Sequence, residues 1–431
     1  MNYRVAAPCR TTCWGSRMDS PEKTNSQKVM AKLDNMEGDM VQTLCELIRI
    51  KAVGPENGGG GEWEKARHIE KMLREWGITD IKHLDAPDAD VKEGTRPNML
   101  ATVKGERPGP KMWLISHMDV VPKGEASLWD SNPFEPVVKG GKIIGRGSED
   151  NGQELVSSIY ALKAILEDGL KPKYDTILCL VSDEETGSQY GLQYLLKQGI
   201  FNKDDLIVIT DAGNEEGDML EVAEKSIIWV KATIVGKQAH ASLPNKSINA
   251  HRAAALLVTR ADKMLHEKFS RQDDLYDVPY SSFEPTKREA GVPNVNTIPG
   301  EEIVYFDCRV LPEYDLDDVM KTFDEAAEAV EKETDASIKI EAVQSEKAAP
   351  PTPPDAKVVE MLRKAVDMVH HNSPYPGGIG GGTVAALLRK QGLNVVVYGK
   401  IDDMAHAPNE YARIENLVGS SKVYACLALM E

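Results

Sequence analysis

The strongest constraint on this chain is a series of short apolar, β-branched or aromatic runs that alternate with stretches of helical period. The runs are residues 98–103, 112–116, 176–181, 206–210 and 395–398. Across 29–50, Met30, Leu33, Met36, Met40, Leu44, Leu47 and Ile48 recur at steps of three and four, which predicts one helix. Further helices are expected at 63–76, 153–170 and 191–198. Strands of this length alternating with helices specify an α/β fold: a mixed, mostly parallel sheet flanked by helices on both faces.

A different texture begins near Lys225. Strand-like runs at 226–235, 281–287, 301–311 and 336–343 enclose helices at 249–268 and 315–332, the second with Asp315 as its N-cap. That order, β-α-β-β-α-β, is that of a ferredoxin-like α+β unit. A Pro-rich crossing, 348–355, leads back to the α/β pattern with a helix at 356–371. A smaller domain, 225–345, is thus expected as an insertion in a larger one made of 26–224 and 346–431. Residues 1–25 hold few apolar groups to offset ordering entropy and read as a disordered tail, in which Met18 is an alternative start.

The chain has 431 residues, a length for two or three domains at roughly 100–200 residues each. Its 51 Lys+Arg against 68 Asp+Glu give a net charge of −17. That balance argues against nucleic acid or an anionic membrane surface as partner, since both attract Lys and Arg. No run approaches the roughly 20 apolar residues of a bilayer span. Six scattered Cys do not form a disulfide framework, so a reducing cytoplasm is the expected compartment.

Four of the α/β runs lead into His or carboxylate residues. The run 112–116 leads to His117 and Asp119, 176–181 to Glu184 and Glu185, and 206–210 to Asp211. The run 395–398 reaches His406 after a short loop. Ligands of open α/β sheets bind at the carboxyl ends of strands, so parallel strands would gather all four clusters on one edge. Asp150, just before the helix at 153–170, is a fifth member. Singly, each has an ordinary reading: a satisfied His-Asp pair, a solvated Glu pair, a helix cap, a surface His. Jointly, two His and three carboxylates without Cys suit catalytic zinc. They exceed the needs of one zinc, and a carboxylate bridging two metals would use them all.

The blocks SHMDVVP (116–122), GRGSEDNG (145–152), DEETGS (183–188), TDAG (210–213) and HAPNE (406–410) resemble, in order, those of a co-catalytic di-zinc metallopeptidase family. Its members include acetylornithine deacetylase, succinyl-diaminopimelate desuccinylase, aminoacylase, glutamate carboxypeptidase and carnosine dipeptidase. The resemblance runs from about residue 30 to the end. It implies two Zn2+ per chain, with Co2+ or Mn2+ as substitutes. His117 and Asp211 would hold one ion, Glu185 and His406 the other, and Asp150 would bridge them. Asp119 would fix the His117 tautomer, and Glu184 would be the general base that takes a proton from water and passes it to the leaving amine.

The smaller domain carries the rest of the resemblance. GKQAHAS (236–242) places His240 where the family has a His that reaches the partner subunit's site and stabilises the oxyanion. Asn296 stands at a substrate-binding Asn, and Arg309 at an Arg that grips a substrate carboxylate. This domain would then be both lid and homodimer interface. The Gly-rich turn GGIGGGT (377–383) carries no following Lys-Ser/Thr and no strand is expected before it, which disfavours a nucleotide site. In the family it lines the substrate pocket, here through Gly382 and the Thr383 hydroxyl.

Two departures bear on substrate. Many deacylases of the family have Ser-Asp-x-Arg after these glycines, whereas this chain has Thr383-Val-Ala-Ala. Deacylases and carboxypeptidases usually have Glu where this chain has Asp211, and dipeptidases and tripeptidases have Asp. The reading is an amide-bond hydrolase of small peptides, of dipeptidase or aminopeptidase type. The alternatives are an N-acyl-amino-acid deacylase and, remotely, a catalytically silent binding protein on the same fold.

Overall fold

A computed structural model describes residues 24–289 and 291–431. The tail expected at 1–25 lies outside the described residues as far as 23. Thr24 caps the first helix, accepting the Gln27 N–H.

In chain order the main elements begin with helices α1 (Asn25–Asn35), α2 (Glu37–Arg49) and α3 (Trp63–Glu75). Strands β1 (Ile81–His83), β2 (Met99–Val103) and β3 (Met112–His117) follow, then α4 (Glu154–Glu167), β4 (Thr176–Val181) and α5 (Leu192–Lys197). Next come β5 (Leu206–Asn214), β6 (Met219–Glu224), β7 (Ser226–Val235), α6 (Ala250–Lys268), β8 (Ser282–Glu289) and β9 (Glu301–Val310). The chain continues through α7 (Leu316–Thr334), β10 (Ser337–Glu346), α8 (Lys357–His370), β11 (Tyr375–Ile379), α9 (Ala385–Arg389), β12 (Val395–Lys400) and α10 (Ile414–Leu429).

Eight strands form one sheet in the order β1-β2-β4-β3-β5-β12-β6-β11. Its centre, β4-β3-β5-β12, is parallel throughout, and β6 and β11 are parallel to each other. Strands β1, β2 and β6 supply the antiparallel joins. Side-chain alternation sends Leu206 and Val208 to one face, against α4, α8 and α10, and Ile207 and Ile209 to the other, against α5 and α9. Coverage on both faces is why these strands read as continuous apolar runs.

Strands β8-β9-β7-β10 form a separate antiparallel sheet. Only one face is covered: Ile228, Val230, Ala232 and Ile234 pack on α6 and α7, while Trp229 and Val235 point outward. The caps Asn249 and Asp315 accept N–H groups of Arg252 and Asp317, as their residue types favour.

Three expectations need correction. The single helix at 29–50 is two, broken at Met36. Leu33, Met36, Met40 and Leu44 all enter one core, so the apolar period runs across the break and conceals it. Strand β5 continues to Asn214, so Asp211 lies within the strand rather than after it. A strand, β11, does lead into the Gly-rich turn and takes in its first three residues. It forms the sheet edge, where Pro and Gly are tolerated and where strand propensity is a poor guide.

Candidate metal centre

The parallel alignment of β3, β4, β5 and β12 brings their carboxyl ends to one edge. His117 closes β3, and Glu184 and Glu185 occupy the turn after β4. Asp211 lies late in β5, and His406 lies in the loop after β12. Asp150 comes from the segment ahead of α4 and reaches into their midst.

Its two oxygens point to different partners. Asp150 Oδ1 is 2.9 Å from His117 Nε2, and Oδ2 is 3.2 Å from His406 Nε2. Asp211 Oδ1 is 3.9 Å from His117 Nε2, and Glu185 Oε2 is 2.9 Å from His406 Nε2. His117, Asp150 and Asp211 thus offer ligand atoms within 4.8 Å of one another, and so do Asp150, Glu185 and His406. Asp150 is common to both groups.

The electrostatics call for cations. Burial pushes the Asp211 carboxyl up to about 7, with Asp150 adding to the rise. Burial also raises Glu185 and carries Glu184 well above the usual carboxylate range. Burial opposes charge on His117, but hydrogen bonds to Asp119 and Asp150 outweigh it and hold its pKa high. Hydrogen bonds to Asp150 and Glu185 lift His406 to about 10. Glu185 Oε1 is buried without a hydrogen-bond partner among the described residues. An oxygen-rich, N/O-only donor set with an unsatisfied acceptor fits divalent zinc, cobalt or manganese.

Asp119 backs this centre. Its backbone oxygen lies 3.1 Å from His117 Nδ1 and its Oδ1 3.5 Å away. The same carboxylate accepts the N–H groups of Glu184 and Glu185. Glu184 also lines a cavity of about 310 Å³ with Glu224, Ile227, Gly382 and Thr383.

The remaining candidates differ in how near they come to this cavity. His240 is exposed, holds Ser242 Oγ at 2.8 Å, and no described hydrogen bond or ion pair joins it to the centre. Asn296 is exposed; its Oδ1 accepts from Asn294 Nδ2, and its carbonyl accepts the N–H of Ala241 from a distant segment. Arg309 reaches across from β9 to the Gly380 carbonyl at 3.0 Å. Its fork is otherwise engaged by Asp307, at 2.6 and 3.0 Å. The Thr383 hydroxyl donates to Glu224 and accepts the Ala385 N–H, which anchors the turn at the cavity that Thr383 and Gly382 line.

Sequence reasoning missed four residues around the centre. Asn151 donates to Asp211 Oδ1 and to the Thr210 carbonyl. Glu149 accepts the N–H groups of Asp402 and Met404, and Glu410 and Arg146 tie the 146–150 segment to the His406 loop. Their position inside the matching blocks was the one available signal.

The family model described as peptidase family M20/M25/M40 matches residues 113–430. An uncharacterised metallohydrolase of Methanocaldococcus jannaschii is 42% identical over 401 residues, covering 90% of this chain and 98% of the relative. A succinyl-diaminopimelate desuccinylase of Sulfurovum is 28% identical over 386 residues, covering 88% and 95%. Among solved structures, a tripeptidase of Staphylococcus aureus aligns with a TM-score of 0.71 at 20% identity, covering 91% of this chain and 98% of its own.

Proposed function

The chain belongs to peptidase family M20/M25/M40 and is a metallohydrolase of peptide or amide bonds; from that premise we propose a di-zinc peptidase acting on small peptides with a free amino terminus. The observation that carries this reading is the split of Asp150, one oxygen toward His117 and the other toward His406. His117 and Asp211 would hold one ion and Glu185 and His406 the second, with Asp150 common to both groups.

When bound, the ions polarise an amide carbonyl and make water acidic enough to ionise near neutrality. Glu184, which faces the cavity and has no side-chain hydrogen bond of its own among the described residues, accepts the proton of the attacking water on its carboxylate. It returns that proton to the leaving amine nitrogen. Asp119 holds the His117 ring and, through two backbone N–H groups, the start of the Glu184-Glu185 turn.

Residues 225–345 act as a lid inserted between 26–224 and 346–431. Arg309 reads the substrate carboxylate with the N–H groups that Asp307 and Gly380 leave free. Asn296 and, from a second subunit, His240 complete the site. The sheet β8-β9-β7-β10 supports a twofold homodimer, because it ends in two edge strands and leaves Trp229 and Val235 exposed. Cys45, Cys179, Cys308 and Cys426 are buried and unbridged, as suits the cytoplasm. No helix among the described residues is long and apolar enough to cross a membrane.

Asp211 and the sequence Thr383-Val-Ala-Ala after the glycines favour peptides over acyl amino acids. The likeness to desuccinylases favours the second reading, an N-acyl-amino-acid deacylase. Amine release from matched panels of unblocked dipeptides and of N-acetyl and N-succinyl amino acids separates the two. Turnover of the dipeptides alone supports the peptidase. Turnover of the blocked compounds alone moves the protein to the deacylases and leaves the metal centre standing.

A further inference from the structure

The two segments that carry Asp150 and His406 hold each other reciprocally. Glu410 is fully buried, and all of its acceptor capacity is used. Its Oε2 accepts Arg146 Nη1 at 2.7 Å and the Gly147 N–H at 3.0 Å. Its Oε1 accepts the N–H groups of Glu149 and Asp150 at 3.0 and 3.1 Å. In the other direction, Glu149 accepts the Asp402 N–H at 2.6 Å and the Met404 N–H, and Arg146 Nη2 donates to the His406 carbonyl at 3.1 Å.

The His406 loop needs such holding. Asp403, His406 and Asn409 all have left-handed φ values, of 57°, 62° and 58°. Such conformations are unfavourable for non-glycine residues and persist only where the surroundings over-determine them. Without Glu149 and Glu410 the loop can relax toward ordinary φ, and the His406 ring then leaves Asp150 Oδ2. The opposite arm meets this brace only through the segment of Asp150 and Asn151: His117 is fixed by β3 and Asp119, and Asp211 lies within β5.

We infer that Glu410, with Glu149 and Arg146, is a positioning residue that sets affinity at the His406-Glu185 metal position, where it holds both the Asp150 segment and the His406 loop, and far less at the His117-Asp211 position, which shares only the Asp150 segment with it. The inference rests on the two-metal reading given above. It adds to that reading a division of labour between the two halves of the centre.

The test is Zn2+ titration of the full chain against a chromophoric chelator, with melting temperature as a check on folding. Wild type should bind two ions, and His117→Ala and His406→Ala one strong ion each. Those controls test the two-metal reading by itself. Glu410→Gln keeps the shape of the side chain but removes its charge and two of its acceptor sites. It should retain one ion close to wild-type affinity and bind the second about 10- to 100-fold more weakly, the usual penalty for losing such support. Arg146→Lys, which spares the N–H contacts of Glu410, should weaken the same single position and carries the test if Glu410→Gln does not fold. Two ions at wild-type affinity, or equal weakening of both, in the folded variants would overturn the inference.

Discussion

The Asp119 carboxylate accepts the backbone N–H of Glu184 at 3.1 Å and, through its other oxygen, that of Glu185 at 3.0 Å. The group that steadies His117 therefore also sets where the proposed base leaves the chain and where its neighbour meets His406. Burial of Asp119 opposes its charge, but His117 and these N–H donors hold its carboxyl below the usual range. It stays an acceptor at neutral pH.

Glu184→Gln should keep bound zinc and lower kcat by about 10²- to 10⁴-fold, the range for removing a general base. Metal content measured beside kcat checks this. Loss of zinc along with activity would make Glu184 a ligand instead.

His240→Ala should lower kcat far more than zinc content. Mixing it with Glu184→Gln under conditions that exchange subunits should restore activity to about a quarter of wild type, because half of the dimers are mixed and each has one complete site. No recovery in verified mixed dimers would place His240 outside the partner's site.

Arg389 ends α9, the helix after the Gly-rich turn, and makes a bidentate pair with Glu221, at 2.8 and 2.9 Å. Both side chains are almost fully buried. Arg389→Leu leaves that carboxylate without its partner and should destabilise the protein by about 3–5 kcal/mol. The double variant with Glu221→Leu should recover much of the loss in chemical denaturation.

His370 is half-buried, packs on Gly419 and has an Nε2 without a hydrogen-bond partner among the described residues. Burial, helped by Lys400, Lys422 and His371, lowers its pKa to about 4, against 6.5 ordinarily. The unfolded chain therefore takes up a proton first as pH falls. Stability is fully present above 6.5 and is lost as pH drops toward 4. Allowing for partial solvent access, His370→Gln should remove about 1–2 kcal/mol of that acid sensitivity. Melting curves of both proteins at pH 7 and pH 4.5 measure the difference.

The α/β alternation, the β-α-β-β-α-β order of 226–346 and the residues at the strand ends were legible because each is a local signal. A β-branched run is a strand candidate wherever it pairs, and His or carboxylate directly after it is visible without a fold. Strand β11 was not legible, since its Pro and Gly hide an edge position. Nor was the brace between Glu149 and Glu410, whose hydrogen bonds join segments some 260 residues apart and leave no periodicity in the chain. The break at Met36 was hidden for the opposite reason, an apolar pattern too continuous to show it.

By itself, the sequence determined the inventory: which side chains capable of metal binding exist and which strands carry them. Only the tertiary structure decided their relations. It turned one Asp150 oxygen toward each His, paired Arg309 with Asp307 and gave the Thr383 hydroxyl to Glu224. Orientations of that kind come from parallel strand register and from hydrogen bonds between distant loops, and these exist only once the chain has closed on itself.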